Sequence, residues 1–226
     1  MLTTASKIVD YFIPREAREE ASNYMMFRTF VFLHLLGPLL GQSVIAFLYQ
    51  ASEEISWVFW VIEVNLCFFW LMPLLVKHTG SLVLPAALSV QALVTLSLFG
   101  SFFYGGISSP FLPWLLIALL LGFFFLADRP RIVLIGVAVQ LAVFSAAHII
   151  FGDFPQLVPL ESLWLVNLLS ILWALIYITL MALYYEKVMR ESWALEEAAN
   201  IHRHKAEELR RAMQRAEHAS HQKSIF

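Results

Sequence analysis

Residues 160–185 read LESLWLVNLLSILWALIYITLMALYY, and residues 186–200 continue as EKVMRESWALEEAAN. The first stretch has one acidic residue near its start and no other formal charge, whereas almost every third residue of the second is charged. A membrane core of roughly 30 Å is crossed by about 20 apolar helical residues, so the first stretch is long enough to span it. Neither stretch contains Gly or Pro. The sequence therefore predicts one long helix that begins in a membrane and continues into water.

Five earlier runs are similarly apolar. The chain is 60% hydrophobic and 14% charged, with a mean hydropathy of +0.72, which is too apolar for an ordinary soluble domain. Backbone groups in lipid must be satisfied internally, and runs of this length satisfy them as helices. We predict an all-α fold, a polytopic six-helix transmembrane bundle with a long cytoplasmic C-terminal helix. The predicted spans are residues 27–49, 55–76, 82–103, 111–126, 132–151 and 160–185, of which the fourth is short.

The lysines and arginines lie on one side of this six-span arrangement. The loops at residues 50–54, 104–110 and 152–159 contain neither Lys nor Arg. Because cationic residues near spans are retained in the cytoplasm, we expect both termini there. The predicted organisation is a cytoplasmic lead at residues 1–26, a membrane domain at 27–185 and a cytoplasmic signalling helix at 186–226.

The two cytoplasmic segments each have a helical pattern. In the lead, Ile8, Val9, Phe12 and Ile13 favour a short interfacial helix that Pro14 would end. In the C-terminal segment, a weak seven-residue repeat predicts a marginal coiled coil, and hence a parallel homodimer. A solvated helix with no partner is the alternative. The repeat runs through Val188, Ser192, Leu195, Ala199, His202, Ala206, Leu209, Met213, Ala216 and Ser220.

Polar side chains inside spans are expensive and therefore suggest function. Gln42, Glu63, His148 and Asn167 fall at similar depths in the outer half of four spans. We predict that they bind a small ligand, with Tyr104 and Trp114 at the mouth of the site. Glu63 must be protonated or paired, and His148 is its ionisable partner by depth. A structural hydrogen bond between helices is the competing explanation.

Three other polar residues are predicted to be structural. Gln91 and Gln140 lie near mid-membrane and are expected to join helices. His34, in the inner half of the first span, is expected to pack against polar backbone or an inner-end residue.

Neither a cofactor nor a catalytic site is predicted. His34 and His148 lie at opposite depths and could not share one iron. No Lys lies in the middle of a span, as retinal would need, and the single Cys67 excludes an internal disulfide or a zinc cluster. The predicted partners are the lipid bilayer, a second copy of the chain and a small-molecule signal, with no nucleic acid.

Two segments resemble a known family. Residues 104–114, YGGISSPFLPW, resemble an element of multi-span sensor regions in bacterial histidine kinases, and residues 216–226, AEHASHQKSIF, are similar to the start of their dimerisation and phosphotransfer helix. The resemblance implies the input module of a two-component phosphorelay in a bacterial inner membrane. ATP-dependent kinase activity and the response regulator would then belong to domains after Phe226. His218 and His221 lack the Glu-Leu-Arg-Thr-Pro pattern that follows the phospho-accepting histidine.

Two alternatives remain open. A small transporter or channel would need a polar pathway that reaches the inner side, where the spans supply only His34. The same sensor region could instead precede a cyclic-dinucleotide synthase, because coiled-coil connectors are shared among such proteins.

Overall fold

The computed structural model describes residues 2–19 and 21–223, and the regular elements of this part of the chain are all helical. The predicted all-α class is confirmed. Short 3-10 turns occur at Glu16–Arg18, Phe69–Leu71, Gly106–Ser108 and Leu160–Leu163. The helices are α1 (Leu2–Tyr11), α2 (Ala21–Ala51), α3 (Trp57–Phe68), α4 (Met72–Thr79), α5 (Val83–Phe103), α6 (Pro113–Phe125), α7 (Pro130–Phe151) and α8 (Trp164–Lys223).

Five of the described segments are long and apolar enough to cross a membrane, and the protein is therefore a multi-pass membrane protein. They are Asn23–Ala51, Trp57–Thr79, Val83–Phe103, Pro130–Phe151 and Leu160–Lys187. The predicted fourth span contains α6, which has 13 residues. At 1.5 Å per residue this helix is about 20 Å long, shorter than the hydrocarbon core.

The chain divides into two compact units, residues 1–184 and residues 185–226, and α8 contributes to both. In the second unit the helix continues to Lys223, and Glu186 pairs with Arg190 one turn later. His202 and Ala206 of the predicted repeat are exposed. The side chains of its other positions, Val188, Ser192, Leu195, Ala199, Leu209, Met213, Ala216 and Ser220, lie outside the described part. Residues 224–226 of the kinase-like segment also lie outside it, and the coiled coil stays a prediction.

Ring contacts and hydrogen bonds define the directions of α5, α6 and α7. Gln91 and Gln140 meet near the middle of α5 and α7, and the Phe102 and Phe151 rings meet near their ends, 6.2 Å apart. These two helices are therefore parallel. Helix α6 runs antiparallel to both, since Phe111 just before its start packs by Gly100 of α5, and Gly122 near its end packs by Val133 of α7.

Helix α2 runs antiparallel to both α3 and α8. Gln42 of α2 bonds Glu63 of α3, whereas Trp70, just after α3, donates to the carbonyl of Leu35 earlier in α2. On the other side, Phe32 packs near Tyr184, whereas Ser43 further along α2 meets Trp173 earlier in α8. The core among these helices is apolar, and its fully buried side chains include Phe30, Leu33, Leu48, Ile62, Ile117 and Leu121.

The loop between α7 and α8 closes over the end of α5. Tyr104 forms an isolated antiparallel bridge with Gln156, and the Leu157 N–H donates to the carbonyl of Phe103 at 3.1 Å. Gly106 has φ +61°, and an ideal Cβ there would lie 2.4 Å from Cδ2 of Phe154. A side chain at this position would therefore meet both backbone strain and a steric clash.

The N-terminal lead is attached to the opposite end of the bundle. The Tyr24 hydroxyl donates to Oδ1 of Asp10 at 2.9 Å, and Arg28 lies 3.6 Å from the same carboxylate. Val9 and Ile13 are buried, but Ile8 is 53% exposed. The apolar residues predicted to share one interfacial face are thus divided between the bundle and the outward side of α1.

Candidate functional site

A cavity lies in the middle of the first unit, among α2, α3, α5, α6 and α8. Its volume is about 50 Å³, which suits one or two waters, since a water takes about 30 Å³ in the liquid. The walls are mostly aliphatic and aromatic, and the side chains with polar atoms are His34, Ser97, Trp114 and Tyr177. Pockets for drug-sized ligands are typically about 300 Å³ or more. A larger ligand would therefore have to separate the helices that form the walls.

Helix α2 has an irregular surface where it lines this cavity. Gly37 lies under the Tyr177 ring, so that an ideal Cβ would be 3.1 Å from Cε2 of that ring. Gly41, one turn later, lies against Leu66, and an ideal Cβ there would be 2.7 Å from Cδ1 of Leu66. Between them Pro38 supplies no N–H to the carbonyl of His34, which opens the helical hydrogen-bond ladder at this point. The two glycines let neighbouring side chains approach the α2 backbone beside a weakened turn.

His34 connects α2 to α5 in the wall of the cavity. Its Nδ1 lies 2.8 Å from the carbonyl oxygen of Phe30, and its Nε2 lies 2.7 Å from Oγ of Ser89. Because a carbonyl can only accept, Nδ1 carries a proton. The single Ser89 proton can go either to Nε2 or to the carbonyl oxygen of Pro85, which lies 2.8 Å from Oγ of Ser89. The ring also stacks on Phe30, with centroids 3.8 Å apart. The prediction that His34 packs against polar backbone is confirmed.

Two bonds between indoles and serines attach α8 to the helices around the cavity. Trp114 Nε1 of α6 donates to Ser170 Oγ at 2.8 Å, and Ser170 donates to the carbonyl of Pro110. Trp173 Nε1 of α8 donates to Ser43 Oγ on α2 at 2.7 Å. Ser170 is completely buried. The Ser170 hydroxyl thus bonds two polar groups at the start of α6, and the Ser43 hydroxyl accepts a hydrogen bond from an indole of α8.

The carbonyl of Pro110 needs this hydroxyl because of the local sequence. Pro113, three residues later, has no N–H, and the N–H of Trp114 donates to Phe111 instead. Buried backbone carbonyls normally find a partner. Ser170 satisfies this one from another helix.

Two of the predicted ligand residues meet directly. Gln42 Nε2 donates to Glu63 Oε1 at 2.8 Å, and the Cys67 thiol lies 3.5 Å from the same oxygen. The second carboxyl oxygen, Oε2, is buried and has no hydrogen-bond partner in the described part of the chain. This Gln–Glu–Cys cluster joins α2 to α3, and its residues do not line the central cavity.

The other four predicted ligand residues lie in separate places. Trp114 lines the cavity. Tyr104 follows α5, where the loop between α7 and α8 covers it, and is 1% exposed. Burial raises the pKa of its phenol above the ordinary value. His148 is exposed and stacks on Phe154, with centroids 4.7 Å apart. Asn167 is partly exposed on α8. The structure therefore does not bring Glu63 and His148 together.

The predicted role of the mid-membrane glutamines is confirmed. Gln140 Nε2 donates to Gln91 Oε1 at 2.7 Å, and the Thr95 hydroxyl donates to Gln140 Oε1 at 2.8 Å. An ideal Cβ on Gly136 would lie 2.0 Å from Gln91 Nε2, so glycine leaves room for the amide. These contacts join α5 to α7, and Gln91, Thr95 and Gln140 do not line the cavity.

Sequence reasoning missed Ser43, Ser89, Ser170 and Tyr177. Serines are common in spans, and a serine does not reveal which indole or imidazole it faces. The one usable signal was GPLLG at residues 37–41, because Gly and Pro inside an apolar run indicate an irregular helix.

The fold and the cavity define the class of this molecule, a multi-pass helical membrane protein with a small apolar chamber. No protein-family model, curated protein or solved structure matches the chain.

Proposed function

We propose that this chain is a membrane signal receptor and transducer, the input module of a two-component sensor histidine kinase. A small diffusible or membrane-associated signal binds within the first unit. Helix α8 passes the resulting change to its charge-rich part in the cytoplasm. The single observation that carries this proposal is the attachment of α8 around the central cavity.

Alternating helix directions support six crossings with cytoplasmic termini. Helices α5 and α7 are parallel and α6 runs antiparallel to both, while α2 is antiparallel to α3 and α8. An even number of crossings agrees with the placement of all Lys and Arg residues on one side. The short α6 crosses with help from its flanking turns and from local thinning of the bilayer.

Helix α8 is the output element because it is held in place mainly by large side chains. Within the described part of the chain, its backbone does not pack closely against a neighbouring helix. Trp114, Trp173 and Tyr177 fill the space between α8 and its neighbours. In contrast, α5 approaches α6 closely, with Gly100 directly beside Phe111. Reorienting a few side chains can shift α8 without separating close-packed backbones.

The size of the cavity gives ligand binding a mechanical consequence. A signal larger than about 50 Å³ can enter only if the walls move apart, so it binds two packings of the bundle with different affinities. A difference of this kind is what a ligand needs in order to shift a conformational equilibrium. Trp114 is the predicted ligand residue best placed to contact it. Gln42, Glu63, Tyr104, His148 and Asn167 would act at the edges of the bundle.

The C-terminal part of α8 would deliver this shift to a partner copy. A parallel homodimer through residues 188–220 gives the helix a surface against which it can rotate or slide. The resemblance of residues 216–226 to the start of a phosphotransfer helix supports a kinase as the next element.

Insertions in α8 test the proposal. The chain is joined in register to the catalytic half of a well-studied histidine kinase, and one, two, three, four or seven alanines are inserted after Ala194. We expect phosphorylation to change with the rotational phase of the insertion, about 3.6 residues per turn, and the seven-residue insertion, close to two full turns, to retain most of the original output. The same insertions in the outer loop after Gly152 are the matched control. Output that is independent of phase would refute transmission through this helix.

A further inference from the structure

The N-terminal helix α1 has two faces of different character. Ser6 and Asp10 face the bundle, because the Arg28 guanidinium donates to the Ser6 hydroxyl at 2.7 Å and pairs with Asp10. Val9 is buried on the same side. Lys7, Ile8 and Tyr11 are exposed on the other side. One face of α1 therefore packs against the bundle, and the other face is exposed.

Helix α4 adds a cation to the exposed face. Lys77 Nζ lies 3.3 Å from the centroid of the Tyr11 ring. Interaction with the Lys77 ammonium lowers the pKa of the Tyr11 phenol below the ordinary value. The surface formed by Lys7, Ile8, Tyr11 and Lys77 thus combines two ammonium groups with an aliphatic side chain and an aromatic ring. Hereafter it is called the α1 surface.

The charge of the α1 surface is not neutralised by nearby acids. Asp10, the acid of α1, is turned inward and paired with Arg28. Among the described residues, neither Lys7 nor Lys77 forms an ion pair with a carboxylate. The two ammonium groups therefore remain available to an external anion.

The α1 surface lies at the level where a span ends. Lys77 is two residues before the end of the candidate span Trp57–Thr79, so its ammonium falls near the boundary between hydrocarbon and headgroups. Apolar residues flanked by cations at this depth are typical of helices that lie in the interface, with the apolar side chains about 5–10 Å into the headgroup and acyl boundary.

We propose that the α1 surface binds the phosphate of an anionic phospholipid in the surrounding leaflet. Lys7 and Lys77 contact the headgroup, and Ile8 and Tyr11 enter the acyl boundary beside it. The bilayer itself supplies the ligand. The site does not depend on the proposed receptor function, since it uses only the inner edge of the first unit.

Lipid selectivity tests this site. The full chain is reconstituted in mixed vesicles, and spin-labelled phosphatidylglycerol and phosphatidylcholine are compared for association with the protein. Because a lysine near an anionic surface contributes about 1 kcal/mol, we expect Lys7→Gln and Lys77→Gln each to lower the preference for phosphatidylglycerol about fivefold. Arg129→Gln with Arg131→Gln is the matched control, since both arginines are exposed at the start of α7. An equal loss in the control pair would indicate diffuse attraction and overturn the site.

A depth measurement provides the second test. Nitroxide labels are attached to the variant Ile8→Cys and, for comparison, to Asp128→Cys in the loop before α7. Both variants also carry Cys67→Ser. We expect the label at position 8 to collide more with oxygen than with a water-soluble nickel complex, and the label at position 128 to do the reverse. Greater access of the nickel complex to position 8 would show that the α1 surface faces water, and the proposal would fail.

Discussion

Replacing Ser170 with alanine should loosen α8 from the start of α6. Ser170 is fully buried, accepts the Trp114 indole proton and donates to the carbonyl of Pro110. Ser170→Ala leaves both groups without this partner. A buried polar group left unsatisfied costs about 1–3 kcal/mol, whereas hydrogen bonds between helices in membranes average about 0.6 kcal/mol. Since Trp114 is only partly buried and can reorient, we expect a loss of about 1–2 kcal/mol in the free energy of unfolding.

Reversible unfolding in mixed detergent micelles measures this loss, and a double-mutant cycle with Trp114→Phe isolates the bond. We expect a coupling energy of at least about 0.6 kcal/mol. Thr179→Ala is the control on the same helix, because Thr179 is exposed and donates only to Leu175 within α8; it should change stability by less than about 0.5 kcal/mol. Equal effects of Ser170→Ala and Thr179→Ala, or strictly additive effects in the cycle, would refute the reasoning.

Two further predictions concern other parts of the first unit. Gln140→Leu should destabilise the α5–α7 contact by about 0.5–1.5 kcal/mol, because Gln91 and Thr95 lose their amide partner. The control in the same unfolding assay is Val139→Leu, at an exposed position of α7. In an alkaline titration followed by phenolate absorbance, Tyr11 should ionise below pH 10 and Tyr104 above it, and Lys77→Gln should move Tyr11 upward. Since the pKa of Tyr104 is raised in the folded state, its contribution to stability is complete below the unfolded pKa near 10 and is lost as the pH rises through the folded pKa. A Tyr104→Phe variant whose free energy of unfolding falls with alkaline pH just as in the unmodified protein would contradict this.

Depth along the membrane could be predicted from the sequence, whereas rotation of each helix about its axis could not. Gln42 and Glu63 were placed at similar depths, and they do meet. The same grounds predict that His148 lies nearby, but its ring stacks on Phe154 in the loop after α7. Hydropathy reports how far a residue is from the end of a span. Which neighbour it faces depends on packing, and that depends on details such as the glycine at position 136, which makes room for the amide of Gln91.

The cavity could not be predicted for a related reason. It arises where α2 presents Gly37, Pro38 and Gly41 to large side chains from other helices. The sequence contains these residues, but the side chains opposite them come from segments far away in the chain, such as Tyr177. The predicted spans, in contrast, depend only on local composition. Five of the six predicted spans overlap a described segment that is long and apolar enough to cross a membrane, whereas α6 in the fourth has 13 residues.

The two ways in which helices are joined suggest which part of the bundle can move. Helices α5, α6 and α7 meet at glycines, where Gly100, Gly122 and Gly136 each lie so close to a neighbour that an added Cβ would clash. Contacts of this kind have little slack, because any displacement loses van der Waals contact along the whole interface. Helix α8 is joined through two indole–serine bonds and through the Tyr177 ring on Gly37, where an added Cβ would lie 3.1 Å from the ring and so clash less than at those three glycines. A ligand that enlarges the cavity would therefore displace α8 before it separates α5 from α6, and this order is what the proposed signalling role requires.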